Sequence, residues 1–197
     1  MNQPEQGPGL FERMRNTATL LVLICQVLAV SSEVFLRGRF GSRYLGLHAA
    51  LAAVAILFFG VFFPHDDPRP LFRFFLAYLF MCFLCRVGGI RLALKGHREH
   101  SRYDGRPLLS WILPRVPETT IKGMIEPALV LTAGVLLMPV SEPLGTYLLL
   151  SAIGLAGINS MIQMHSRRQA QEMYDAFLDQ RQLTERFRQL RDDRHFR

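Results

Sequence analysis

The chain has 197 residues, is half hydrophobic and carries a formal charge of +7 from 23 basic against 16 acidic residues. A basic excess can signal nucleic acid, but here the charge is segregated: residues 18–32, 44–63, 71–85, 124–140 and 143–158 are nearly free of it. A soluble helical bundle is set aside as well, because its helices need polar stripes, and LLVLICQVLAV and HAALAAVAILFFGVFF have none.

Residues 1–16 read as a short polar N-terminal segment. A helix needs about 20 apolar residues to cross a hydrocarbon core roughly 30 Å thick. Five segments approach that length, at about 17–36, 44–63, 71–92, 121–140 and 143–164. The predicted fold is all-α: a polytopic integral membrane helix bundle over 17–164 with about five transmembrane helices, then a cytoplasmic C-terminal amphipathic helix over 165–197. Span 1 contains Ala29-Val30-Ser31, which resembles a signal-peptide cleavage site. Cleavage would turn the basic loop and tail outward, against the charge rule, so the span is read as retained.

The links PHDDPRP (64–70) and Pro139–Pro143 are short and proline-bounded, so spans 2 and 3, and spans 4 and 5, are expected as antiparallel neighbours. Cys25, Cys82 and Cys85 lie inside apolar segments and read as small core residues; Cys82-x-x-Cys85 lacks the βαβ context of a redox motif. Polar side chains inside spans are costly and need a partner or a purpose. Glu33, His48, Arg86, Glu126, Asn159 and Gln163 all fall in the cytoplasmic half, as an intramembrane polar cluster in which Arg86 is expected to pair with Glu33 or Glu126. Pro127 is a helix-interior proline if span 4 begins near Pro117 and a first-turn proline if it begins at Glu126; the sequence leaves both open.

Loop 93–120 divides in two. His97, Glu99, His100 and Asp104 are ligand types, but His-x-x-His supplies two imidazoles where a metal site needs three or four converging ligands. His97 and His100 are therefore weak metal candidates, and no metal or cofactor is expected. PLLSWILPRVP, with the chain's single tryptophan, reads as an interfacial anchor made by Arg106, Trp111 and Arg115. The tail after His165 has no Gly or Pro; Met173, Phe177, Leu183, Phe187 and Leu190 recur at helical steps with Gln180 between them, like a short coiled-coil seam with one polar core position.

Orientation follows from the basic residues. With the N-terminus outside, Arg37, Arg39, Arg43, Arg91, Lys95, Arg98, Arg102, Arg106, Arg115, Lys122 and eight tail arginines fall inside, 18 in all, against Arg13, Arg15, Arg69 and Arg73 outside. The expectation is a multi-pass protein of the cytoplasmic (inner) membrane with its C-terminus in the cytoplasm. Functionally the chain reads as a non-enzymatic scaffold or anchor subunit. Its partners are membrane lipid and, through the tail, a second copy or another protein, with no nucleic acid. The alternatives are a transporter or channel component with Glu33, Arg86 and Glu126 around an inner vestibule, and a membrane-embedded enzyme using His97 and His100.

Overall fold

A computed structural model describes residues 10–38, 40, 46–94 and 105–195. Helix α1 runs Leu10–Leu36 and passes directly into a two-residue strand β1, Arg37–Gly38. Helix α2 is Leu47–Phe59, extended by a 3-10 turn Gly60–Phe62. Helix α3 is Arg69–Leu94, and a second two-residue strand β2, Arg106–Pro107, leads into a 3-10 turn Leu108–Trp111. Helix α4 is Glu118–Leu137 and contains a π turn at Ile121–Ile125, and helix α5 is Glu142–His195.

Among the described residues, four helices are long and apolar enough to cross a membrane: α1, α3, α4 and α5. The second apolar segment, expected over 44–63, gives only the shorter helix Leu47–Phe62. Its end has a local cause. Phe63 precedes Pro64, and the proline ring disfavours the helical region for the residue before it; Phe63 sits at φ −126°, ψ 66°. Asp67 leads into helix α3, its carboxylate accepting the Arg69 N–H at 3.0 Å, with Pro70 in the first turn, where its missing N–H costs nothing.

The residues sort into two units, Met1–Asn159 and Ser160–Arg197, each described by itself. In the first, α2 and α3 are antiparallel: the Tyr78 hydroxyl donates to the Ala49 carbonyl at 3.0 Å, and Gly60 lies against Leu71. Helices α4 and α5 make a second hairpin, with Gly134 facing Gly145 and Leu149. The two tight turns border one shallow cleft lined by Asp66, Asp67 and Met138–Glu142, so both lie at the same end of the unit. The core between the helices is built on Val30, Val34, Ile56, Tyr78, Tyr147 and Leu155. Tyr147 meets Phe59 edge-on at 5.2 Å, and Phe35 stacks on Phe74 at 5.4 Å.

Helices α1 and α5 meet through small residues. The Ser151 hydroxyl donates to the Leu28 carbonyl at 2.8 Å and lies 2.9 Å from the Ser32 hydroxyl. A Cβ on Gly154 would stand 2.8 Å from the Cys25 carbonyl oxygen and 3.0 Å from Leu28 Cβ. Backbone cannot yield as a flexible side chain does, so this contact admits only glycine. Large apolar side chains cover much of the outside instead, among them Phe58, Phe62, Phe80, Phe83 and Leu136. Apolar exposure of that extent marks a surface meant for a non-aqueous neighbour.

Two glycine substitutions should therefore have opposite signs. Gly154→Ala is expected to destabilise by about 1–3 kcal/mol through overpacking. Gly88→Ala, with nothing within 4 Å of the added carbon, is expected to stabilise by up to about 1 kcal/mol through helix propensity. Thermal unfolding of the detergent-solubilised variants reads both.

Candidate functional site

At the end of the unit opposite the two turns, four polar side chains are sealed inside. Glu33 and Arg37 stand one helical turn apart at the end of α1, a spacing that puts both on one face. Arg37 Nη1 lies 3.0 Å from Glu33 Oε1. On its other side, Arg37 Nε donates to Glu126 Oε2 at 2.8 Å, and Nη2 lies 2.7 Å from the same oxygen. Nη2 also donates to Asn159 Oδ1 at 3.1 Å. None of the four side chains' residues exceeds 4% exposure. The planar, forked guanidinium is what lets one cation serve two carboxylates and an amide at once.

The position of Glu126 depends on the π turn before it. Pro127 has no N–H to give to the carbonyl four residues back, and its ring crowds that carbonyl. The helix widens ahead of it: the Glu126 N–H bonds to the Ile121 carbonyl, five residues back, instead of to Lys122. The Lys122 carbonyl is thereby released, and the Asn159 amide donates to it from α5. Asn159 thus works with both ends, its oxygen held by Arg37 and its nitrogen by the π turn. Since helical bonding already begins with the Thr120 and Ile121 N–H groups on the Pro117 carbonyl, Pro127 is a helix-interior proline. Closer to the rim, Lys122 Nζ pairs with Glu118 at 2.8 Å.

Arg37 also acts through its backbone. Strands β1 and β2 pair antiparallel, with Arg37 opposite Pro107 and Gly38 opposite Arg106. One residue therefore ties α1, α4 and α5 by its side chain and the loop before α4 by its main chain. Chemically the arrangement is closed: the charged atoms point at one another and water has no direct access. It is built to hold helices together.

Of the residues singled out from sequence, Glu33, Glu126 and Asn159 come together here, but the cation among them is Arg37. Arg86 is exposed on α3, His48 is half-buried at the start of α2, and Gln163 belongs to the second unit. Arg37 lies just past the apolar run, where hydropathy marks a basic residue as a loop charge. The signal that finds it is the Glu33–Arg37 spacing. Arg106, Trp111 and Arg115 are exposed on the turn that β2 leads into. In the tail, Met173, Phe177, Gln180, Leu183 and Phe187 are exposed, while the side chain of Leu190 lies outside the described residues. His97 and His100 also lie outside them. Among the described residues no three His, Cys, Asp or Glu side chains are grouped as a metal would require, and Cys25, Cys82 and Cys85 are free thiols.

Comparison of the chain with known protein families, curated proteins and solved structures finds no match in any of the three.

The cluster makes a graded prediction. Arg37→Met strands two buried carboxyl groups and is expected to cost about 3–5 kcal/mol. Converting Glu33, Arg37 and Glu126 together to methionine should recover most of that loss, because no charge is left behind. Arg86→Met, at an exposed position, should cost under about 0.5 kcal/mol. Unfolding of the four proteins in one detergent, read by circular dichroism, checks the order.

Proposed function

We propose that this chain is a five-span protein of the cytoplasmic (inner) membrane, N-terminus outside and C-terminus inside, that acts as a non-catalytic scaffold or anchor and associates with its own copies through the tail helix.

The crossing count turns on α2, which with its 3-10 turn is roughly 25 Å long at 1.5 and 2.0 Å rise per residue. That is shorter than a regular span, but its two ends are fixed by neighbours. The β1–β2 pair holds the end of α1 level with the approach to α4. Between them the chain makes one outward and one returning passage, α2 and then α3, which are antiparallel. Slight thinning of the bilayer or anchoring by flanking residues accommodates the short member. Orientation rests on charge. The end with both turns carries Asp66, Asp67 and Glu142 against Arg69, whereas at the other end Arg106 and Arg115 are exposed, Lys122 pairs with Glu118, and Arg37 is enclosed by Glu33 and Glu126. Basic loops stay in the cytoplasm.

The scaffold reading is carried by the tail. Met173, Phe177, Leu183 and Phe187 are 54–70% exposed, a row of large apolar groups on a helix of their own unit. Its charges favour protein over lipid as the neighbour. From position 165 onward eight arginines stand against six acidic residues, a mixture that a second copy of the same helix can complement and that an anionic lipid surface would not select. A short seam of this kind is too weak to hold a dimer alone and suits chains already confined to one membrane. A transport vestibule is less well supported, because Arg86 lies apart and both carboxylates are closed onto Arg37.

Fusions after residue 67 and after residue 197 test the topology: alkaline phosphatase should be active only at the first, and a fluorescent protein that matures in the cytoplasm only at the second. The reverse pattern, or the same side for both, would overturn it. Self-association is read from the mass of the full chain in lipid nanodiscs. The native protein is expected as a dimer or larger and Phe177→Glu/Phe187→Glu as a monomer. A monomeric native protein would sink the scaffold reading.

A further inference from the structure

The turn between β2 and α4 is internally hydrogen-bonded yet bears the most exposed aromatic side chain of the described residues. Gly105 enters it at φ +89°, a left-handed conformation that favours glycine, and a Cβ there would stand 3.0 Å from the Phe40 ring. Pro107 is buried and paired with Arg37. The Ser110 hydroxyl donates to the Pro107 carbonyl at 2.7 Å, and the Ile112 and Leu113 N–H groups bond to the Leu109 carbonyl at 3.0 and 2.9 Å. This fixed turn leaves Trp111 83% and Ile112 78% exposed. Arg106 and Arg115 flank them, both exposed, and neither makes an ion pair among the described residues.

The level of the turn is set by β1, which follows α1 without a break. At the same end Leu47 opens α2, Leu94 closes α3 and Met124 lies in the π turn, all three more than two-thirds exposed. Trp111 and Ile112 therefore lie at the same end of the unit as these exposed apolar side chains. Tryptophan partitions to the boundary between acyl chains and headgroups, and arginine binds the phosphates just above it. A second copy of the chain fits less well, since a two-fold contact would bring unpaired arginines of like sign together.

We infer that the Pro107–Val116 turn is a headgroup-binding foot, with Trp111 and Ile112 at the acyl-chain boundary and Arg106 and Arg115 holding the phosphates of anionic phospholipids. The inference rests on the membrane reading above and adds the lipid class and the residues that select it.

Trp111 is the only tryptophan, so the full native chain carries its own probe. The protein is reconstituted into vesicles of phosphatidylcholine and phosphatidylglycerol in which one lipid or the other is brominated, near the headgroup end or near the tail end of its chains. Emission is expected to be blue-shifted relative to indole in water, quenched most by shallow bromines and little by acrylamide. At equal bulk fraction, brominated phosphatidylglycerol should quench more than brominated phosphatidylcholine. That preference should fall about fivefold for each of Arg106→Gln and Arg115→Gln, while the blue shift persists in both variants. Efficient acrylamide quenching in protein that resists alkaline extraction from the vesicles would put the foot in water and overturn the inference alone. Shielding from both acrylamide and bromines would mean a protein cover and overturn it too, and equal quenching by the two lipids would overturn the anionic selectivity. Release of the protein by alkaline extraction would overturn the membrane reading and this inference with it.

Discussion

A guanidinium with no direct access to water governs one end of this bundle. Burying Arg37 is tolerable only if its donors find acceptors and its charge finds opposite charge. Glu33 satisfies one side from the same helix, and Glu126 and Asn159 satisfy the other from two different helices. Those acceptors must lie close to the guanidinium plane, so the approach of α4 and α5 to α1 is constrained by the fork. A lysine in the same place would offer a point charge and no such plane. The arrangement also couples two levels of structure: the side chain fixes helices while the backbone of the same residue fixes the loop through Pro107.

The proline-driven π turn belongs to the same constraint. On an isolated helix Pro127 would leave backbone carbonyls without donors, a serious cost in an apolar surrounding. Here the widened turn hands the Lys122 carbonyl to the Asn159 amide. The irregularity of α4 is thereby satisfied by the helix that packs on it, and the Glu126 carboxylate directly after it lies on Arg37. Asn159 is hard to replace for this reason: its amide presents an acceptor to the guanidinium and a donor to the carbonyl on two separate atoms, whereas a hydroxyl has a single oxygen for both.

How much of this is legible in the sequence varies with the range of the interaction. The long helices follow from uncharged apolar runs, and both hairpins follow from short proline-bounded links. The cost of burying Glu33, Glu126 and Asn159 marks them from sequence as residues needing partners. Arg37 escapes because hydropathy stops at Leu36, whereas a helical face continues one turn further and an arginine reaches back along it. Arg86 attracts attention for the converse reason: its place inside an apolar run looks costly, but α3 packs along one edge and leaves that arginine exposed. The choice between an interior and a first-turn Pro127 depends on whether another helix supplies a donor for Lys122, and nothing local encodes that. The early end of α2 was readable in principle from Phe63-Pro64.

Charge context separates the two exposed apolar features that the bundle does not explain. Trp111 and Ile112 are flanked by Arg106 and Arg115, each without an ion pair among the described residues, while Glu118 further along pairs with Lys122. Around Phe177 and Phe187 both signs are interleaved, and Arg181 pairs with Glu185 at 3.4 Å along the helix itself. Apolar contact alone does not discriminate between lipid and protein, because both offer a dry surface. Electrostatics does: an anionic leaflet rewards a rim with a net positive excess, and a protein surface rewards alternation that can be matched residue by residue. On the reading proposed above, charge context is what distinguishes a lipid-facing turn from a protein-facing tail.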